Sequence, residues 1–415
     1  MTETVAPRRQ TDGFAITGLN RGNVWAISSV HVFAAVAVAY ICLIGVDALA
    51  VWVTAISLVF GQLSVTVLYH RCLTHRSFQM AKWLQFFWSL GANGTLQGPP
   101  ISWVGTHHDH HAATDTQGDP HTPYRFAHAR LREESGQAWD WLRHPWLHEY
   151  AHDSADGPVY MTLRELWEGF KWAHTLWLCY TTDRRPYKKP TYLYGEQVMR
   201  NGRPLRDEKN EIVYKGSMYT WQTDHYWVFV VGTFAVPALV AGILSAERGW
   251  SAVLLEVVAA ALLAALRVTV GWHTTWLTNS LVHLVGDRTT DSLGRKFSGD
   301  NSRNIWWLFA LLLGENWHNL HHLFQWAYGH GHRWYHLDFT KWVIWLMAIP
   351  EFLRQGFDWL AQRAWLPRPL QFGCRVAEWV LKRCRLVWNL RRAPVDFALR
   401  PDQMSPQDRE LATGL

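Results

Sequence analysis

The chain has 415 residues, enough for one large unit or two ordinary domains, with a formal net charge of +6 and a pI of about 9.1. Hydrophobic residues make up 49% and charged residues 18%, below the roughly 25% charge of an average soluble protein, while a mean hydropathy of -0.13 excludes a chain that is apolar throughout. Five scattered cysteines without CxxC spacing argue against a disulfide framework, and the basic residues form no nucleic-acid motif, so the charge points to anionic lipid or acidic protein partners.

The first 23 residues form a polar tail with no signal-peptide core beside it, so the first apolar stretch is expected to be retained as a span. Residues 24–46 and 48–69 are each long enough to cross the hydrocarbon and are joined by almost nothing, which predicts a membrane hairpin within 24–104. Residues 83–104 are apolar but broken by Gly91, Gly94, Gly98, Pro99 and Pro100, and read as an interfacial or re-entrant segment. Residues 105–225 are soluble in composition and include a polar insert at 183–218, where Asn201-Gly202 and Lys215-Gly216 mark turns and 211–216 reads as one strand of a small hairpin. A second hairpin follows in 226–283, from spans 226–245 and 252–279. In 284–365 the apolar runs 306–313 and 342–352 are too short or too polar to cross easily, and 366–415 is a basic tail. Its 372–392 stretch has mixed apolar and basic faces and suits either a helix on the membrane surface or one packed on the polar unit.

Basic residues in the tails and between the hairpins (Arg8, Arg9, Arg21, Arg184, Arg185, Lys188, Lys189, Lys382, Arg383) place both termini and the middle segment in the cytoplasm. The 27 tryptophans suit a membrane–water interface, where an indole ring is half wet and half buried.

Twenty-two histidines are present, and many are clustered. His70 and His75 form HxxxxH; His107, His110 and His111 form HxxHH; His318, His321 and His322 form a second HxxHH. Chance would supply about 0.06 copies of HxxHH at this composition. On a helix, residues three and four apart share a face, so one turn of HxxHH is expected to offer three imidazoles to one metal region. The five-residue step of HxxxxH turns about 140° around an α-helix, which suits two imidazoles approaching different metals, or a helix that unwinds between them. The first box begins where the second span ends, and Asn279 to His283 lies where the fourth span ends, so the clusters fall on one side of the membrane. Eight box imidazoles and His283 are too many for one metal and suit two, although imidazole alone accepts Fe, Zn, Cu or Ni. No HExxH is present, which weakens a zinc hydrolase reading.

This set of boxes resembles that of the membrane fatty acyl desaturases, with the stearoyl-CoA desaturase-like group as the nearest pattern. TWLTNSLVH resembles that group's NSxxH element, GENWHNLHH its GEGWHNxHH element, and DTQGDPH at 115–121 its TDxDPH stretch; Trp103 stands four residues before His107, as in the family. The resemblance covers about 20–125 and 225–340. It implies an all-α integral membrane fold: four transmembrane helices in two hairpins under a cytoplasmic helical cap. It also implies a bent apolar tunnel and a di-iron site held by His70, His75, His107, His110, His111, His283, His318, His321 and His322, with Asn279 binding through water. Departures are His108, where the family often has Arg, Asn316, where it often has Gly, and longer 122–167 and 183–218 regions.

Trp103, His108, Asp119, Asp287 and Glu315 are expected near the ligands or the substrate, and Asp109 and Asp300 stand with them as carboxylates close enough in sequence to orient a metal-bound imidazole. His121, His128, His144, His148, His152, His174 and His225 read as ordinary surface or hydrogen-bonded histidines, and His330, His332 and His336 as neighbours of the site without direct ligation. The activity implied is O2-dependent desaturation of a fatty acyl chain carried as a CoA or related thioester, with two Fe ions per chain. Electrons would come from a separate ferredoxin or cytochrome b5-like protein, because no fused haem, flavin or iron–sulfur motif is read. A bacterial inner membrane is favoured over the endoplasmic reticulum. Hydroxylation, acetylenation or decarboxylation to a terminal alkene at the same site, and a metal-binding transporter, are the alternatives.

Overall fold

The computed structural model describes residues 14–116, 118–126, 148–150, 159–161, 163–185, 187–200, 202–289 and 300–393. Arg8, Arg9, His128, His144, His152, Asn201 and the last 22 residues lie outside these, as do the side chains of 148–150.

Four helices are long and apolar enough to span a membrane. The first, α1 (Arg21–Leu43), starts on Asn20, whose side chain accepts from the Asn23 amide at 3.1 Å. The second, α2 (Ala48–Ser64), runs without a break into a π-helix over Val65–Thr74. After two shorter helices, α3 (Lys82–Asn93) and α4 (Pro100–Ala113), come the third and fourth candidate spans, α5 (Tyr226–Leu244) and α6 (Trp250–Ser280). Beyond them lie α7 (His318–Leu323), α8 (Phe339–Met347), α9 (Ile349–Ala361) and α10 (Arg368–Cys384). Helix α6 is central and packs against α1, α2 and α5. Outward-facing Val36, Trp52, Ile56, Val231, Leu239 and Leu254 are exposed, as lipid-facing side chains must be.

Two of these helices are longer than a membrane crossing needs. The continuous helical stretches Ala48–Thr74 and Trp250–His283 have 27 and 34 residues. At 1.5 Å per residue they are about 40 and 51 Å long, against roughly 30 Å of hydrocarbon. The excess is enough to carry His70 and His75, at the end of one, and Asn279 and His283, at the end of the other, clear of the hydrocarbon. Tryptophan marks the boundaries: Trp25 and Trp227 at one side and Trp250 at the other are all exposed.

The expected interruption in 83–104 falls at 94–99, between α3 and α4, where Leu96 and Gly98 take positive φ and Pro99 and Pro100 follow. Its freed carbonyls are answered from α6: Arg267 donates to the Gly94 carbonyl at 3.0 Å and Trp272 to that of Leu96 at 3.1 Å. The charge in the fourth span thus serves a local backbone need.

Small sheets tie the segments together. Ile16–Leu19 pairs with Tyr180–Thr182, and Gln79–Met80 with Val387–Trp388. In the insert, Val213 lies between two partners: its amide donates to the Leu205 carbonyl and its carbonyl accepts from Val198, both at 2.9 Å. The expected hairpin is therefore three segments, because 211–215 joins a turn already formed by 199–204.

Candidate metal centre and acyl cavity

The nine histidines singled out by spacing meet at one end of the four-helix bundle in two clusters. His70, His75, His107, His111 and His321 form one; His110, His283, His318 and His322 form the other. In the first, Nε2 of His70 and His321 lie 3.0 Å apart, His111 and His321 3.0 Å, His111 and His107 3.1 Å, and His75 and His107 3.3 Å. In the second, His318 Nε2 is 3.0 Å from those of both His283 and His322. The clusters lie side by side, with the His111 and His322 rings 4.6 Å apart.

One expectation about the boxes is corrected and another is narrowed. HxxHH does not send three imidazoles to one region. In α4 the i and i+4 histidines, His107 and His111, join the first cluster and the i+3 histidine, His110, the second. In α7 the assignment is reversed: His318 and His322 join the second cluster and His321 the first. At 100° per residue, positions i+3 and i+4 fall on opposite sides of i, so one turn reaches both clusters. Of the two alternatives for HxxxxH, approach to different clusters does not occur; the helix instead departs from α geometry between His70 and His75. The π-helix closes five residues per hydrogen-bonded turn, the His75 amide bonding the His70 carbonyl at 3.1 Å, and both rings enter the same cluster 4.8 Å apart.

The outward nitrogens of four histidines are held by buried or half-buried carboxylates. Nδ1 of His70 meets Glu315 at 2.9 Å, that of His110 meets Asp119 at 2.9 Å, that of His283 meets Asp115 at 3.1 Å, and that of His322 meets Asp300 at 3.0 Å. This arrangement fixes the tautomer that leaves Nε2 facing inward with a free lone pair. Burial, and then the neighbouring imidazoles, hold His75, His107, His110, His111, His318 and His321 well below the usual histidine range. Burial would raise the Glu315 carboxyl, but His330, His70 and Arg71 hold it well below the carboxylate range. An inward-facing, all-nitrogen donor set backed by carboxylates, with six of its imidazoles biased toward the neutral, ligating form, fits metal cations.

Of the other residues expected here, Trp103 stacks at 5.1 Å from the His107 ring and 6.1 Å from that of His70. His108 points off the shared face, its Nε2 3.2 Å from the Thr74 carbonyl. Asn279 lines the space beside the histidines, with His107 and Trp103. Asp287 is the exception: it is exposed, pairs with Asn304 through its backbone, and meets no imidazole among the described residues. Asp109 pairs with Arg184 instead of a ring. Sequence spacing does not single out Asp115 as an orienting residue, although it opens the DTQGDPH stretch, and it leaves His121 among ordinary histidines. His121 is in fact buried, 4.4 Å from the His110 ring and within 3.7 Å of Asp119. His330 stacks on His321 at 4.2 Å, with Nδ1 3.3 Å from Glu315. His174 joins His31 and His273 in a chain of ring-nitrogen contacts of 2.9 and 3.2 Å behind Trp276.

A cavity of about 1020 Å³ leads from this centre into the bundle. His107, Trp103 and Asn279 line its upper end, and Phe33 on α1, Phe234 on α5 and Val258, Ala261, Leu262 and Ala265 on α6 its depth. The step along α6 from Asn279 to Val258 is about 31 Å at 1.5 Å per residue. A smaller cavity of about 60 Å³, lined by Gln62, Thr66, Thr274, Thr278, Asn279, His70, His107, His110 and His318, sits directly against the histidines. It exceeds the roughly 10–15 Å³ one water needs.

Comparison with known proteins agrees with this architecture. The fatty acid desaturase family model matches residues 47–352. The chain is 31% identical over 306 residues to the sn-1 stearoyl-lipid 9-desaturase of Anabaena variabilis, covering 74% of this chain and 80% of that one. It is 30% identical to the sn-2 palmitoyl-lipid 9-desaturase of Nostoc sp. (strain 36), over 69% of this chain and 74% of the relative. It is 29% identical to the Delta-9 acyl-lipid desaturase 1 of Arabidopsis thaliana, over 77% and 80%. The chain belongs to the fatty acid desaturase family, and is a membrane oxidoreductase of lipid metabolism.

Proposed function

We propose that the protein introduces a carbon–carbon double bond into a fatty acyl chain lying in the apolar cavity, at a di-iron centre held by the nine clustered histidines. The observation that carries this reading is the junction of the two clusters with the mouth of that cavity, where His107, Trp103 and Asn279 face the acyl path. In balance, the two carbons lose two hydrogens, O2 accepts these together with two external electrons and two protons, and two waters leave. Two iron ions at these clusters supply the O2-derived oxidant able to remove hydrogen from an unactivated methylene.

The chain's own residues do the rest. His70, His75, His107, His111 and His321 hold one ion, and His110, His283, His318 and His322 the other, with Asn279 contributing through a bound water. Asp115, Asp119, Asp300 and Glu315 orient the ligating rings and balance their charge. Apolar walls from α1, α5 and α6 exclude water and fix which carbon pair lies under the histidines, so that geometry selects one position along an otherwise uniform chain. The names of the relatives favour an acyl chain esterified in a lipid and attack at the 9 position over a CoA or carrier thioester. Exposed Arg76, directly after His75, and exposed Lys188 both bear on His108 beside the first cluster, a basic surface that suits an acidic ferredoxin or cytochrome b5-like donor. The centre and both termini then lie in the cytoplasm, consistent with the basic tails, and a bacterial inner membrane suits the lipid-linked chemistry.

The test is product analysis in a host lacking monounsaturated lipids, with a reduced ferredoxin co-expressed. A monoene that appears first in intact glycerolipid after labelled acyl-lipid feeding supports the reading. Hydroxylated, acetylenic or terminal-alkene products would replace it with another outcome at the same site. Metal-dependent transport without acyl product would replace it with a transporter.

A further inference from the structure

The last helical hairpin among the described residues presents an apolar stripe with a cationic border. In α10, Phe372, Val376 and Trp379 recur at spacings of four and three and are 70%, 46% and 54% exposed. Beside them, Arg368, Arg375 and Lys382 recur every seventh residue, which sets them along one edge of the same helix. Arg383 lies within the stripe, its guanidinium 3.5 Å above the Trp379 ring. These four cations are exposed and have no carboxylate partner among the described residues. The opposite side of α10 packs on α9, where Arg354 bridges Glu351 at 2.9 Å and Glu378 at 3.0 Å. Those two acids thus turn toward the hairpin's interior, leaving the outer edge basic.

The level of this hairpin follows from its attachments. Thr340, in the first turn of α8, bonds Thr66 at 2.8 Å. Thr66 is 18 residues beyond Ala48, about 27 Å along a helix, close to the far boundary of a roughly 30 Å hydrocarbon layer. From there Trp342, Trp345, Leu346, Ile349 and Leu353 continue one exposed apolar face through α8 into α9. At the other end, Ala81 donates to the Leu386 carbonyl at 2.9 Å, holding the end of α10 at the start of α3. The exposed face of α3 is itself apolar: Trp83, Phe86, Phe87 and Leu90.

We propose that α8–α10 form a platform on the membrane surface, in which Phe372, Val376 and Trp379 enter the acyl boundary and Arg368, Arg375, Lys382 and Arg383 bind anionic phospholipid headgroups. Charge complementarity selects the partner: an apolar stripe alone would accept any bilayer, whereas a cationic edge at headgroup level adds attraction to anionic lipid. The platform's level is set by the membrane plane of the four spans and is independent of the reaction.

The test uses the full-length protein with Val376→Cys carrying an environment-sensitive fluorophore, the non-buried Cys42, Cys179, Cys374 and Cys384 being replaced by Ser. It is placed in nanodiscs of phosphatidylcholine alone or with phosphatidylglycerol. We expect blue-shifted emission quenched by lipids spin-labelled near the headgroup, with quenching increased by phosphatidylglycerol. High salt, or Gln at positions 368, 375, 382 and 383 together, should remove that increase, while Lys at the three arginine positions should keep it and so separate charge from misfolding. Water-like emission in both lipids overturns the proposal. So does immersion indifferent to phosphatidylglycerol and to the Gln variant, or shielding of position 376 by a second copy, read as a dimer in mass measurements.

Discussion

The His75 amide bonds the carbonyl of His70, five residues back, and this one π-turn brings both imidazoles into a single cluster. The neighbouring bond from the Thr74 hydroxyl to the Tyr69 carbonyl, at 2.7 Å, repeats the five-residue step. Inserting one Ala between Leu73 and Thr74 should therefore displace His75 while leaving the cluster of His110, His283, His318 and His322 in place. Iron content should fall from two to about one per chain, measured by elemental analysis of the purified protein. Unchanged iron would mean that His75 is dispensable.

Glu315 holds His70 and supports His330, whereas Asp287 is exposed and reaches no ring. Glu315→Gln should lower iron affinity or activity by about 10–100-fold, the usual cost of removing a carboxylate behind a ligating imidazole. Asp287→Asn should change neither by more than experimental scatter. Iron titration of the apoprotein and product assays would separate the two.

Arg71 is fully buried beside Asp338, Glu315 and the Tyr328 carbonyl, at 3.0, 3.2 and 2.9 Å. Arg71→Met would leave two carboxylates without their cation in a dry site. We expect destabilisation of about 3–5 kcal/mol, seen as a large drop in apparent Tm of the detergent-purified protein. A double variant that also neutralises Asp338 should recover part of the loss.

Ala261 and Ala265 line the deep part of the acyl cavity. Phe at either position would fill space that the acyl tail needs. Each methylene excluded costs about 0.8 kcal/mol, or about fourfold in selectivity. Chain-length profiling of the products should show a shift toward shorter acyl chains, with the iron content unchanged.

The spans are legible in the sequence because roughly twenty consecutive apolar residues match one hydrocarbon thickness and little else in a folded chain, and their ends fall within a few residues of the expected ones. The nine clustered histidines are legible because His is rare and its spacing is not accidental. Their division between two clusters is not, since it depends on where α4 and α7 point and on a π-turn that no local pattern in VTVLYHRCLT announces. Orienting carboxylates are half legible: Asp119 and Glu315 lie beside boxes, but Asp115 meets His283 across 168 residues of chain. His121 closes the DTQGDPH stretch, but it shares no i+3 or i+4 spacing with another histidine, so its burial against His110 and Asp119 is not legible in the sequence. In the C-terminal segment the expected helix over 372–392 is cut short: α10 ends at Cys384 and Val387–Trp388 is a strand, while one face of α10 packs on α9 and the other is exposed.

The central claim is that the two histidine clusters hold iron. Iron quantification and Mössbauer spectroscopy of anaerobically purified, 57Fe-enriched protein tests it most directly. The account predicts two high-spin ferrous ions per chain in nitrogen-rich environments, lost together with desaturase activity on chelation. Zinc alone, or a fully active protein without iron, would contradict it.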